Sequence, residues 1–111
     1  RKVIVLQADG SGMYTPQPLW THAREQLDVV TIVYSNRRYQ ILLGELKNVG
    51  AAAPGDNALR MLTLDNPQLD WCAMARGMGV DAARAETVDT FTDLLRDACA
   101  RRGLFLIEAL I

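Results

Sequence analysis

Residues 3–14, VIVLQADGSGMY, pass without alternation from apolar sequence into an acid, two glycines and a serine. A continuous apolar run suits a strand covered on both faces, so Val3–Leu6 predict a central strand of a parallel sheet. Asp9 then stands at the carboxyl end of that strand. Ligands of open α/β sheets bind at that end, and a Gly10-Ser11-Gly12 turn lets the backbone come close to a phosphate or a metal-bound oxygen.

Outward from this stretch, apolar spacing changes period. Thr15 is placed to cap a helix in which Pro16 and Pro18 occupy the first turn and Leu19, Ala23 and Leu27 share a face. DVVTIVYS, residues 28–35, is β-branched and apolar enough for a second buried strand. RYQILLGELKNV, residues 38–49, returns to helical spacing, and Gly50–Leu69 shifts to Ala, Pro, Gly, Asp and Asn, predicting a long surface excursion in which ALRML forms at most a turn of helix. Asp70 is placed to cap a short helix that ends at Gly79, VDAARA to form a short strand, and Thr87 to cap a helix presenting Val88, Phe91, Leu94, Leu95 and Ala98 on one face. LFLIEAL closes as a last strand. The alternation predicts a three-layer α/β/α domain with a mostly parallel sheet.

The whole chain sets limits on function. Its 111 residues make one domain, half of them are apolar, and the formal net charge is −1. Such a balance argues against nucleic acid and anionic membrane as partners, and no apolar stretch reaches the roughly 18 residues a membrane span needs. Cys72 and Cys99 lack the spacing of metal or redox motifs and are expected to be reduced core residues, which with the absence of signal-peptide features suggests a cytoplasmic protein. His22 is expected on a helix in a surface or packing role, Trp20 and Trp71 between helix and sheet, and Met61, Met74 and Met78 in the core, with Met13 bordering the Asp9 turn. Arg1-Lys2-Val3 opens directly on a strand without an initiator methionine, so the chain reads as part of a longer protein whose sheet continues beyond it.

Because the first two strands are expected to be parallel, the second strand's end at Ser35-Asn36 falls on the same sheet edge as Asp9. A carboxylate, a carboxamide oxygen and a main-chain carbonyl are hard oxygen donors of the kind Mg²⁺ or Ca²⁺ prefers, and Mg²⁺ commonly shares its shell with substrate phosphates. Such an edge suits a metal-bound diphosphate. A phosphoacceptor receiver-like module also places an acid at a strand end, but it needs a second acid and a later lysine, and Lys2 and Lys47 are wrongly placed. A pure interaction module leaves the pairing of Asp9 with Asn36 without a purpose.

ADGSGMYTPQPLWTHAREQLDVVTIVYSNRRYQIL resembles the diphosphate-binding motif of thiamine diphosphate enzymes, in which Gly-Asp-Gly is followed at similar spacing by Asn-Asn; here 27 positions separate Asp9 from Asn36. YTPQPLWTHARE, YQILLGEL and the closing DWCAMARGMGVDAARAETVDTFTDLL are similar to the acetolactate synthase and benzoylformate decarboxylase branch, so the resemblance covers the chain. It implies the thiamine diphosphate-binding fold, with residues 1–111 as a carboxyl-terminal cofactor domain truncated at its N-terminal side. It also implies that Asp9 and Asn36 ligate Mg²⁺ by side chain and Arg38 by its main-chain carbonyl. Gly10 and Ser11 would donate to the diphosphate, helped by the main chain around Tyr39. Arg37 and Arg38 are expected to point their side chains to solvent or an interface, since the metal already neutralises the diphosphate.

Two positions depart from the motif: Ala8 stands where it has Gly, and Ser35 where it has the first Asn. Both bear on loop geometry, and neither removes a metal ligand. The implied parent is an acetolactate synthase-like enzyme of branched-chain amino acid biosynthesis, or a benzoylformate-type decarboxylase, acting on a 2-keto acid as a homodimer or homotetramer. A separate pyrimidine-binding domain of that parent would carry the activating glutamate, so this chain alone is expected to be inactive. On this reading, Asp9→Ala removes the metal and leaves the fold untouched.

Overall fold

The computed structural model describes residues 1–51 and 53–111. Along the chain run β1 (Val3–Ala8), α1 (Asp9–Gly12), α2 (Pro18–Arg24), β2 (Val29–Ser35), α3 (Gln40–Asn48), α4 (Asp56–Leu62), α5 (Trp71–Gly77), β3 (Ala82–Ala85), α6 (Val88–Ala100) and β4 (Phe105–Leu110). The four strands form one sheet, every pairing parallel, in the order β1-β2-β4-β3. The expected three-layer architecture is present. Leu19, Val33, Trp71, Ala75 and Leu106 are buried together on one face, and Val30, Ile32, Ala98, Phe105 and Ile107 on the other. Alternation along β2 and β4 sends neighbouring side chains to opposite faces, and each large aliphatic side chain so buried contributes about 1.5–3 kcal/mol.

Several expectations change. Among the described strands β1 pairs only with β2, and Ile4 and Leu6 are 50% and 63% exposed. An apolar run reports affinity for burial on both faces, whereas sheet position depends on which strands pair later. Here β4, last in sequence, enters between β2 and β3 and leaves β1 with one neighbour. The Gly-Ser-Gly segment is the single helical turn α1, and α2 starts later than predicted, with Gln17 rather than Thr15 at its cap. Cys99, Met61 and Val88 are exposed rather than in the core, and Trp20 is half exposed with the Arg24 guanidinium over its ring. The excursion contains a helix, α4; Ala52, which falls in that excursion, lies outside the described residues.

Helix signals at the second half of the chain hold closely. Asp70 accepts a hydrogen bond from the Ala73 N–H at the start of α5, Thr87 does the same from Thr90 at the start of α6, and Gly79 beyond α5 has φ +84°.

Asp28 ties the entrance of β1 to the turn before β4. Its carboxylate accepts from Lys2 Nζ at 2.6 Å and from the Gly103 N–H at 2.9 Å, and its carbonyl accepts from the Val3 N–H. The Lys2 hydrogen bond, then the Gly103 bond, hold the Asp28 carboxyl below the usual carboxylate range. A group whose folded value is depressed stabilises the fold above its unfolded value, about 3.9, and loses that contribution as pH falls through the folded value. Wild-type protein is therefore expected to lose thermal stability more steeply than Asp28→Asn as pH falls below about 4. Parallel melting-temperature profiles would remove Asp28 from the acid response.

Candidate functional site

The parallel register sets Ala8 level with Tyr34, so the two strands end side by side and Asp9 emerges next to Ser35-Asn36. Asp9 is 2% exposed, and both of its oxygens are engaged: Oδ1 accepts from the Gly10 N–H at 2.8 Å and Oδ2 from the Arg37 N–H at 2.6 Å. The second bond crosses from α1 to the loop after β2. Arg37 has φ +59°, a left-handed conformation that costs a non-glycine residue about 1–3 kcal/mol unless its surroundings hold it. Here the Asp9 carboxylate holds its N–H, and the Leu64 N–H bonds its carbonyl at 2.7 Å.

Asn36 Oδ1 accepts from the Arg38 N–H at 3.1 Å, a turn bond within the loop; Tyr39, not Asn36, is the cap residue of α3. Residues 62–64 brace the other side of the loop: Arg38 pairs with Thr63 in an isolated antiparallel bridge, and the Tyr39 N–H donates to the Leu62 carbonyl at 2.8 Å. Among the described loops, no backbone N–H donates to the Arg38 carbonyl.

Asp9, Ser11, Tyr14, Asn36, Arg38 and Tyr39 line one cleft of ≈ 280 Å³ at the carboxyl edge of the sheet. All six residues assigned to the cofactor from sequence, Gly10 included, come together there. Their donors are not all turned to the cleft. The Gly10 N–H is spent on Asp9, and the Ser11 hydroxyl lies 2.9 Å from Gln7 Oε1 and 3.3 Å from the Ala8 carbonyl. The Ser11 N–H, in the first turn of α1, has no intrahelical acceptor. Arg37 and Arg38 are exposed, and Arg38 lines the cleft. Met13 does not border the cleft; it packs against the core cluster around Trp71. His22, half-buried on α2, is likewise outside the cleft lining.

The oxygen set fits a hard divalent cation. A carboxylate oxygen that accepts one N–H keeps a second lone pair, as does the Asn36 carboxamide oxygen, and the Arg38 carbonyl keeps both.

A buried polar group escaped the sequence reading. Glu108, in the middle of β4, is fully buried and pairs through Oε2 with Arg84 Nε on β3 at 3.0 Å. Cys72 Sγ lies 3.8 Å from the same oxygen, and burial, then the Glu108 carboxylate, push the Cys72 thiol up, so it stays protonated and donates. Asp70 completes a cluster whose ligand atoms lie within 4.8 Å of one another. The Arg84 guanidinium already supplies the positive charge there, which makes the cluster an ion pair rather than a metal centre. The only signal in the sequence was one acid inside the apolar run LFLIEAL.

An open parallel sheet with helices on both faces and a cleft at the ends of two neighbouring strands is the architecture of ligand-binding α/β domains. Residues 1–109 match the family described as thiamine pyrophosphate enzyme, C-terminal TPP binding domain, and the chain belongs to that family. A Mycobacterium tuberculosis protein bearing the name "Putative acetolactate synthase large subunit IlvX" is 46% identical over 112 residues, covering 100% of this chain and 22% of its own length. Benzoylformate decarboxylase of Pseudomonas aeruginosa is 37% identical over 111 residues, covering 97% of this chain and 19% of its own. The structure of a Rhodococcus jostii RHA1 thiamine diphosphate-dependent 4-hydroxybenzoylformate decarboxylase superposes with a TM-score of 0.84 at 31% identity, over 97% of this chain and 19% of that one. The chain thus spans about a fifth of the length of the curated relatives it matches.

Proposed function

We propose that this chain is the diphosphate- and Mg²⁺-holding part of a thiamine diphosphate-dependent 2-keto acid enzyme, acetolactate synthase-like in its reaction. The observation that carries this reading is the Asp9–Arg37 hydrogen bond, which brings a buried carboxylate against the Asn36–Arg38 loop at one sheet edge. In this role Asp9 and Asn36 hold Mg²⁺ by side-chain oxygens and Arg38 by its carbonyl, while the Ser11 N–H and the main chain just after Tyr39, at the start of α3, bind the diphosphate; the Ser11 hydroxyl and the Tyr39 N–H are already engaged. Gly10 serves by fixing Asp9 rather than by donating outward, since its N–H is already engaged. When bound, the cofactor supplies a thiazolium that acts as electron sink for the decarboxylation of a 2-keto acid. The chain's own task is orientation: Asp9, Asn36 and the loop fix one end of the cofactor so that its reactive end is presented in one place.

A parent of this kind is a cytoplasmic homodimer or homotetramer whose pyrimidine-binding domain lies outside this chain, and the chain alone is inactive. The relative at 46% identity supports the acetolactate synthase-like reading. The structural likeness to a 4-hydroxybenzoylformate decarboxylase supports the second reading, decarboxylation without carboligation. Supplying the purified parent protein with pyruvate or benzoylformate separates them: acetolactate as product carries the first, an aldehyde from benzoylformate the second.

The metal assignment is tested at Asn36. Asn36→Asp keeps the oxygen that accepts from Arg38, so thermal stability without cofactor is expected to stay within about 0.5 kcal/mol of wild type. A second carboxylate beside Asp9 repels an anionic diphosphate, and calorimetry at fixed Mg²⁺ is expected to show thiamine diphosphate binding weakened by about tenfold or more. Equal affinity would leave Asn36 as a turn former only.

A further inference from the structure

Gly10 lies in α1, and its φ is not among the left-handed glycine values of the described residues, so its backbone conformation does not demand glycine. Space does. A Cβ at position 10 would sit 2.8 Å from Tyr39 Cδ1 and 2.9 Å from Cε1, where carbon atoms in contact ordinarily stand about 3.5–4.0 Å apart. The neighbour that excludes a side chain here is therefore an aromatic ring from the far strand's loop. The backbone that carries this ring is held by the Tyr39 N–H bond to Leu62, and the Tyr14 ring stacks against it with centroids 6.5 Å apart.

We propose that the Tyr39 ring is a positioning residue for the metal-bound diphosphate, keyed into the space that Gly10 leaves open. Its contact sets how closely α1, carrying Asp9 and Ser11, approaches the Asn36–Arg38 loop. The Asp9–Arg37 bond fixes that approach at one point, and the Gly10–Tyr39 contact fixes it at a second, so the two oxygen donors keep one separation before any ligand arrives. The inference rests on the function proposed above but concerns this chain's own packing. It assigns the ring of Tyr39 a role beyond that of its main chain.

The experiment is a set of substitutions in the full-length protein, read by calorimetric thiamine diphosphate affinity at fixed Mg²⁺ and by thermal unfolding without cofactor. Gly10→Ala is expected to weaken binding about tenfold in the wild-type and Tyr39→Phe backgrounds, which keep the ring, and less than about threefold in Tyr39→Ala, because touching residues couple and alanine has no atom beyond Cβ to meet the new methyl group. The same penalty in all three backgrounds, or none in any, overturns the proposal. Should Gly10→Ala fail to fold, the single variants decide it. Tyr39→Leu is expected to bind about tenfold more weakly than Tyr39→Phe with little difference in thermal midpoint, and equal affinities overturn the proposal. Wild-type protein that binds no thiamine diphosphate with Mg²⁺ overturns the functional reading and this inference together, whereas wild-type binding with uncoupled variants overturns the inference alone.

Discussion

Asp9→Asn in the full-length protein is expected to lower Mg²⁺-dependent thiamine diphosphate affinity by about 100-fold or more, since changing a group that merely supports a metal ligand already costs about 10–100-fold. The substitution keeps size and shape and removes the charge. It also replaces one carboxylate oxygen by an NH₂ that faces a backbone donor, so either the Gly10 or the Arg37 N–H loses its acceptor. An unpaired buried N–H costs about 1–3 kcal/mol, so the cofactor-free protein is expected to melt a few degrees lower as well. The loss of affinity exceeds the loss of stability if Asp9 is a ligand. Affinity unchanged in a protein that melts lower would reduce Asp9 to a clamp on the Arg37 loop.

Arg84→Met is expected to destabilise the cofactor-free protein by about 3–5 kcal/mol at pH 8, the range for removing one partner of a buried ion pair. Glu108 is wholly enclosed, and Arg84 is its charged partner; Cys72 offers only a thiol. Arg84→Met combined with Glu108→Leu is expected to recover most of the loss, as apolar replacement of a whole buried pair is often neutral. Urea unfolding of wild type and the two variants at pH 8 checks this. A deficit below about 1 kcal/mol for Arg84→Met would place the pair in the weak class of surface ion pairs.

The depth of Asp9 changes what a larger truncation would do. From sequence, Asp9→Ala reads as a ligand deletion that spares the fold. Because Asp9 is buried with an N–H on each oxygen, Asp9→Ala instead strands two donors, and an unfolding experiment should see it without any metal present.

Local chemistry was enough for much of the molecule. Asp70 and Thr87 start helices because a short side-chain acceptor satisfies an orphan N–H one turn ahead, and DVVTIVYS is a strand because β-branched residues fit a pleated surface. Asp9 and Asn36 could be paired because parallel strands end on one edge, and their separation in sequence leaves room for one crossover helix. Each of these depends on residues near in sequence or on a rule of chain connection.

Tertiary structure alone decided the rest, and in each case the reason is a partner far away in the chain. Among the described strands β4 pairs on the other side of β2 from β1, a choice that the apolar run of β1 does not carry. Glu108 is tolerated at the sheet centre because Arg84, on the neighbouring strand, sits level with it. Gly10 was legible as a place of close approach, but what approaches is the Tyr39 ring, delivered by a loop whose left-handed Arg37 is held by Asp9 from one side and by Leu64 from the other. Sequence determined which side chains have oxygen to offer and at which ends of the strands they fall. Only folding determined which of those oxygens are already bonded, and therefore which remain free to hold a metal.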